Sequence, residues 1–173
     1  MNDTKKKHRA GFVNIIGNPN VGKSTLMNAL VGEKLSIVTA KAQTTRHRIM
    51  GIVNGDDYQI VYSDTPGILK PNYRLQKSMM NFVDTAIGDA DIILYVTDTV
   101  EKGDKNDEYI SKLQKIDCPV ILVINKIDIS SQEQVLELMN WWKEQLPKAV
   151  IFPASAQEKF NLDNIFDAIV GNL

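Results

Sequence analysis

Apolar and polar positions alternate along this chain with two different periods, and the switches between them set out the elements. Phe12 to Ile16, Asp91 to Val96 and Pro119 to Ile124 are short, nearly unbroken apolar runs, the pattern of strands buried on both faces. Ala149 to Pro153 reads as the last strand. Ile49 to Val53 and Tyr58 to Ser63 are strand-like and flank Asn54-Gly55-Asp56-Asp57, a strong hairpin signal. Between these runs the period changes to helical. Leu26, Met27, Leu30 and Val31 share one face, as do Leu75, Met79, Phe82, Val83 and Ala86. A further helix opens near Lys102-Gly103-Asp104-Lys105 and runs to about Lys115. Another spans Ser131 to Gln145 with Val135, Leu138, Met139 and Trp142 inward and Trp141 at the core edge. Leu162, Ile165, Phe166 and Ile169 mark the last.

Strands alternating with helices, apart from one hairpin, predict an α/β fold. The expected sheet is doubly wound, six-stranded and mostly parallel, with one antiparallel strand and helices on both faces. Residues 1–9 read as a basic, solvated tail and 10–173 as one domain. The basic leader of Lys5, Lys6, Lys7, His8 and Arg9 is compatible with contact to RNA or anionic lipid. A net charge of −1 supplies no global field for nucleic acid, so weak RNA binding is expected of this stretch alone. The one cysteine, Cys118, has no internal disulfide partner and reads as a buried inert thiol suited to a reducing compartment. No apolar run reaches the ~20 residues of a membrane span.

The chemistry concentrates in the loops that follow strands. Gly17-Asn18-Pro19-Asn20-Val21-Gly22-Lys23-Ser24 matches the phosphate-cradling loop and stands between a strand and a helix, where such a loop operates. Its glycines let successive N–H groups curve around an anion, and the helix start adds its positive end. Lys23 brings a full charge and Ser24 a hydroxyl for Mg²⁺. The polar loop Thr39 to Arg48 contains Thr44 and Thr45, which offer the hard oxygens Mg²⁺ prefers. His47 is most simply exposed. Asp64-Thr65-Pro66-Gly67 ends a strand, where Asp64 is placed to hold Mg²⁺ through water and Gly67 to bring its N–H to a terminal phosphate.

Asn125-Lys126-Ile127-Asp128 ends another strand. Guanine presents two adjacent donors that one carboxylate accepts; adenine does not, which gives Asp128 a reason to discriminate. Lys126 has a stem long enough to lie across a purine, and Asn125 can tie neighbouring loops together. A plainer reading makes Asp128 a helix cap. Ala154-Ser155-Ala156 follows the last strand, small enough for backbone to approach a base.

These four motifs, in this order, resemble a translation-factor-class GTPase domain. Ala42-Gln43-Thr44-Thr45-Arg46-His47-Arg48-Ile49 and Asp64-Thr65-Pro66-Gly67-Ile68 resemble the bacterial Era family of the TrmE-Era-EngA class, from about Arg9 onward. The resemblance implies that Gly17, Asn18, Pro19, Asn20, Val21, Gly22, Lys23, Ser24 and Thr25 hold the phosphates. Asn125, Lys126, Asp128, Ser155 and Ala156 would hold guanine. Ser24 and Thr45, with Thr44 an alternative, would ligate Mg²⁺, and Asp64 would reach it through water. Lys23, Thr45, Asp64 and Gly67 would serve catalysis, and Asn20 would hold K⁺ beside the phosphates.

The implied activity is hydrolysis of GTP to GDP as a switch in small-subunit assembly on 16S ribosomal RNA, in the cytoplasm, with a peripheral contact at the inner membrane left open. The family's C-terminal KH domain would follow Gly171-Asn172-Leu173 and is expected to be absent from this chain. One departure stands out. Ras-like enzymes carry a water-orienting glutamine where this chain has Ile68, so backbone groups of the two switch loops are expected to hold water. Arg46 and Arg48 are weak candidates for an arginine finger, and turnover is expected on the order of 10⁻⁴–10⁻² s⁻¹. Alternatives are a Der- or MnmE-like sister GTPase acting on large-subunit assembly or tRNA modification, an ATP-using P-loop protein, and a pseudo-GTPase.

Overall fold

The computed structural model describes residues 7–32, 35–39, 49–65, 67–68, 74–100 and 107–173. Seven strands form one sheet: β1 Arg9–Gly17, β2 Leu35–Thr39, β3 Ile49–Asn54, β4 Tyr58–Asp64, β5 Ile92–Asp98, β6 Val120–Asn125 and β7 Val150–Pro153. Their order is β2-β3-β4-β1-β5-β6-β7. β1 pairs parallel with β4 and β5, and the parallel run continues through β6 to β7. Among the six expected strands, β3 alone runs against the rest. It pairs antiparallel with β4 through the expected hairpin, where the Gly55 N–H donates to the Tyr58 carbonyl at 2.8 Å. The six expected strands are all present. β2 is an addition at the sheet edge, pairing antiparallel with β3 around a register shift between Leu35 and Ile37.

Among the described residues four α-helices connect strands, α1 Lys23–Val31, α2 Arg74–Gly88, α3 Asp107–Lys115 and α4 Gln132–Gln145, and a fifth, α5 Leu162–Gly171, follows β7. The period-2 alternation of the strands divides the core into two layers. Ile92, Leu94 and Val96 of β5 and Ile121 and Val123 of β6 join Leu26, Met27, Leu30 and Val31 of α1 and Ile165 and Ile169 of α5. The alternate residues Ile93, Tyr95, Leu122 and Ile124 join α2, α3 and α4 through Met80, Val83, Tyr109, Ile110, Leu113 and Trp142. Each fully buried large side chain contributes about 1.5–3 kcal/mol, so the central strands anchor both layers.

Two expectations change. Leu75 is 42% exposed, and the inner face of α2 is Met80, Val83 and Ala86. Leu75 lies in the first turn of the helix. Phe12, the fourth of the nine residues of β1, is 43% exposed where the apolar run predicts burial. The opening of the third helix near Lys102 falls outside the described residues; its described turns begin at Asp107. Trp141 is half-buried with its ring edge-on to Trp142 at 4.8 Å, the core-edge role expected of it.

Candidate functional site

β1 sits where the sheet order turns back on itself, with β4 on one side and β5 on the other. In open α/β sheets, that is where a crevice opens beyond the carboxyl ends of the strands. The chain leaves β1 at Gly17 and enters α1 at Lys23. Gly22 caps the helix with φ 93°, a left-handed geometry, and its missing side chain leaves room for the Asn125 amide packed against it. The first turn of α1 carries no acidic residue, so its positive end faces the crevice uncompensated by a carboxylate of its own turn. Lys23 is 8% exposed and folds back beneath the loop, donating from Nζ to the Asn18 carbonyl at 2.7 Å. The Asn18 Oδ1 atom is buried without a protein partner. Asn20 at the crest of the loop is left-handed, with φ 65°.

The parallel register of β1 and β4 sets Asp64 opposite Ile15, beside the loop. The Ser24 hydroxyl donates to Asp64 Oδ2. Oδ1 of the same carboxylate is buried and has no protein partner. Burial pushes the Asp64 carboxyl upward, against the opposing pull of the Ser24 hydroxyl, the Lys23 charge and the Thr65 N–H. An orphaned carboxylate oxygen and a serine hydroxyl beside a phosphate-type loop are hard donors, the kind Mg²⁺ takes. Among the described residues, no group of three or more His, Cys, Asp or Glu gathers into an all-protein metal cage.

After Asp64 the chain lies directly on the phosphate loop. A Cβ placed on Gly67 would stand 2.6 Å from Pro19 Cγ and 2.7 Å from its Cα and N. The Ile68 N–H donates to the Gly17 carbonyl at 2.9 Å, and the Ile68 side chain is 6% exposed, packed with the α2 and α3 core layer. Thr65 fixes the approach by donating its hydroxyl to the Ile15 carbonyl at 2.8 Å.

On the other side of the crevice, β6 delivers Asn125. Its Nδ2 donates to the Val21 carbonyl at 2.9 Å and its Oδ1 accepts the Ala156 N–H at 2.9 Å. Lys126 is left-handed, with φ 64°. Its Nζ donates to the Asn20 carbonyl at 2.5 Å and pairs with Asp98 at 2.9 Å. Asp128 stands exposed in the 3-10 turn Ile127–Ile129. It is not the helix cap: Ser131 caps α4, accepting the Gln134 N–H while the Gln134 side chain accepts the Ser131 N–H, each at 3.3 Å. The capping job is filled, and the exposed Asp128 carboxylate is left beside the loop. Ser155 is buried and accepts the Glu158 N–H at 3.1 Å, while the Ala154 N–H bonds the Ile124 carbonyl at 2.8 Å, closing the third wall.

The structure thus gathers Gly17 through Thr25, Asp64, Gly67, Asn125, Lys126, Asp128, Ser155 and Ala156 at the carboxyl end of the sheet. Thr44, Thr45, Arg46, Arg48 and Pro66 lie outside the described residues. Sequence reasoning missed Asp98 and Thr99, which hold Lys126 from the end of β5. The rule applied to Asp64, an acidic residue at the carboxyl end of a parallel strand, would have found Asp98. At the opposite pole, Cys118 lines a cleft of about 660 Å³ with Leu113, Pro119, Leu146 and Pro147. Cys118 is half-buried rather than buried as expected, because it lies just before β6 at the mouth of this cleft, and partial burial raises its thiol.

Residues 12–126 match the profile of the family described as 50S ribosome-binding GTPase. The chain is 43% identical over 169 residues to GTPase Era of Heliobacterium modesticaldum, covering 97% of this chain and 56% of that protein. The crystal structure of a single-residue variant of Aquifex aeolicus Era bound to GDP.AlF4⁻ superposes with a TM-score of 0.82 at 40% identity, over 95% of this chain and 57% of that one. Era in complex with MgGDPNP and nucleotides 1506–1542 of 16S ribosomal RNA superposes with a TM-score of 0.83 at 40% identity, over 96% and 57%. The chain spans about half the length of the curated relatives it matches.

Proposed function

The chain belongs to the 50S ribosome-binding GTPase family, and on that premise we propose that it binds guanine nucleotide and hydrolyses GTP to GDP and phosphate. The single observation that carries this is the union of three loops. The phosphate loop, the Asp64 segment and the Asn125 strand end are bonded to one another around one crevice. Lys23 and the start of α1 would take the phosphates. Gly17, Asn18, Pro19, Asn20, Val21 and Gly22 would line them with backbone N–H groups, Pro19 excepted. Asp128 would accept both donors of guanine, Lys126 would lie along the base, and the Ser155-Ala156 backbone would face its O6. Relatives named for GTPase Era and solved with GDP.AlF4⁻ or MgGDPNP support this reading.

Ser24 and Asp64 fit Mg²⁺, which when bound neutralises charge on the phosphates; Thr45 would join them in the GTP state. The remaining work belongs to the chain itself. Lys23 would hold charge against the phosphates, and the Gly67 N–H would meet a terminal phosphate. Ile68 turns its side chain into the core and leaves water to be oriented by backbone groups. Asn20 would hold K⁺, and equal rates in KCl and NaCl would remove that role.

The process served is assembly of the small ribosomal subunit. It rests on the Era relatives and on the one solved with 16S ribosomal RNA. With a ribosomal partner the protein would act in the cytoplasm. Peripheral membrane contact has only the basic leader in its favour, and no helix among the described residues is long and apolar enough to cross a membrane. Calorimetric titration with GTP, ATP and ITP, together with phosphate release, tests the core reading. Tight GTP binding, weak ATP and ITP binding and slow release are expected. Equal uptake of ATP would overturn it.

A further inference from the structure

The end of β5 carries a group that no motif above includes. Asp98 is buried, and its carboxylate is fully engaged. Oδ1 accepts the Val100 N–H at 3.0 Å, and Oδ2 pairs with Lys126 Nζ at 2.9 Å. The neighbouring Thr99 hydroxyl donates to the Lys126 carbonyl at 3.3 Å. Lys126 is therefore gripped at both its backbone and its ammonium by one three-residue turn. The grip matters because Lys126 is a non-glycine residue in left-handed backbone geometry, and because its side chain is long and a third exposed. Unheld, such a side chain samples many rotamers. Held, its stem is fixed in one direction, and its ammonium ends on the Asn20 carbonyl of the phosphate loop. Asp98 and Asn20 thus pin the same ammonium from two sides of the crevice.

We propose that Asp98 is a positioning residue for nucleotide binding: it preorganises Lys126 as the platform on which the base lies. The proposal rests on the guanine-nucleotide reading and extends it to a residue on a further loop. Asp98 touches no nucleotide; its effect passes through Lys126. A buried carboxylate paired with a partly exposed ammonium loses most when one partner is neutralised, because the other is left without its counter-charge.

The test is equilibrium titration of the whole chain with a fluorescent GDP analogue in Mg²⁺ buffer. Asp98→Asn keeps the side-chain shape and an acceptor for the Val100 N–H while removing the charge. It is expected to raise Kd about tenfold. Lys126→Met is expected to raise it at least as much. Adding Asp98→Asn to Lys126→Met should then change nothing further, because there is no ammonium left to position. The preference for GDP over IDP should stay unchanged in Asp98→Asn, since that preference belongs to Asp128. Independent, multiplying losses in the double variant would make Asp98 merely structural and overturn the proposal, as would a wild-type Kd in Asp98→Asn. Should Asp98→Asn fail to fold, Asp98→Ser carries the same expectation, and a wild-type Kd in Lys126→Met overturns the proposal by itself. The guanine reading is judged separately, by whether the unmodified chain prefers GDP to ADP.

Discussion

The Asn125 side chain donates to the Val21 carbonyl at 2.9 Å, joining the end of β6 to a phosphate loop 104 residues earlier. The same amide accepts the Ala156 N–H, so one buried side chain holds three walls of the crevice at fixed spacing. Asn125→Ala would leave a buried carbonyl and a buried N–H without partners. A loss of about 2–3 kcal/mol in unfolding free energy is expected, read by urea denaturation, together with weakened GDP binding. A variant as stable as wild type would show that the loops are held by other means.

Asp64 sets a pH dependence. Its folded carboxyl lies above the ordinary value because burial penalises the charge. Between the unfolded and the folded value, the native state holds a proton that the unfolded chain has released. This contribution to stability is therefore present at low pH and lost as pH rises through the folded value. Asp64→Asn removes the penalty, so at neutral pH and without nucleotide the variant should be more stable than wild type. The difference should shrink as pH falls toward the ordinary carboxylate range. Thermal melts of both proteins from about pH 4 to 8 check the sign. Mg²⁺-dependent tightening of GDP binding should be lost in the variant.

Gly67→Ala would set a methyl group 2.6–2.7 Å from Pro19, against backbone atoms that have no room to yield. A displacement of the segment costing about 1–3 kcal/mol is expected. If Gly67 serves the terminal phosphate as proposed, GTP-analogue binding should weaken while GDP binding stays near wild type. Equal losses for both nucleotides would contradict this.

Ile68→Gln restores the residue type that Ras-like enzymes use to orient water. The native side chain, however, is 6% exposed in the core layer that includes Ile16, Met80 and Tyr95. Burying an amide there is expected to destabilise the fold by about 1–3 kcal/mol. Turnover should not rise. A faster phosphate-release rate in the variant would show that the side chain can swing into the crevice.

Asp128→Asn replaces two acceptor oxygens by one acceptor and one donor. With Ser131 already capping α4, the change should leave stability unaltered and alter only the base chosen. Guanine nucleotide affinity should fall about 100-fold and xanthine nucleotide affinity should rise. A melting temperature lowered by several degrees would mean that Asp128 also has a structural role.

The amino-acid order by itself determined the chemistry of the phosphate loop, the acidic end of β4 and the strand end at Asn125. It also determined the layering of the core. Both follow from short-range rules: a glycine-flanked lysine after an apolar strand, and an alternation that sends Ile92 and Ile93 to opposite faces. Tertiary structure decided what depends on distant segments becoming neighbours. It gave Asn125 two loops to bind, turned Ile68 inward, left Leu75 exposed, added β2 at the edge and brought Asp98 to Lys126. None of these is a property of a local window, because a side chain's partner is chosen by the folding of the chain that separates them.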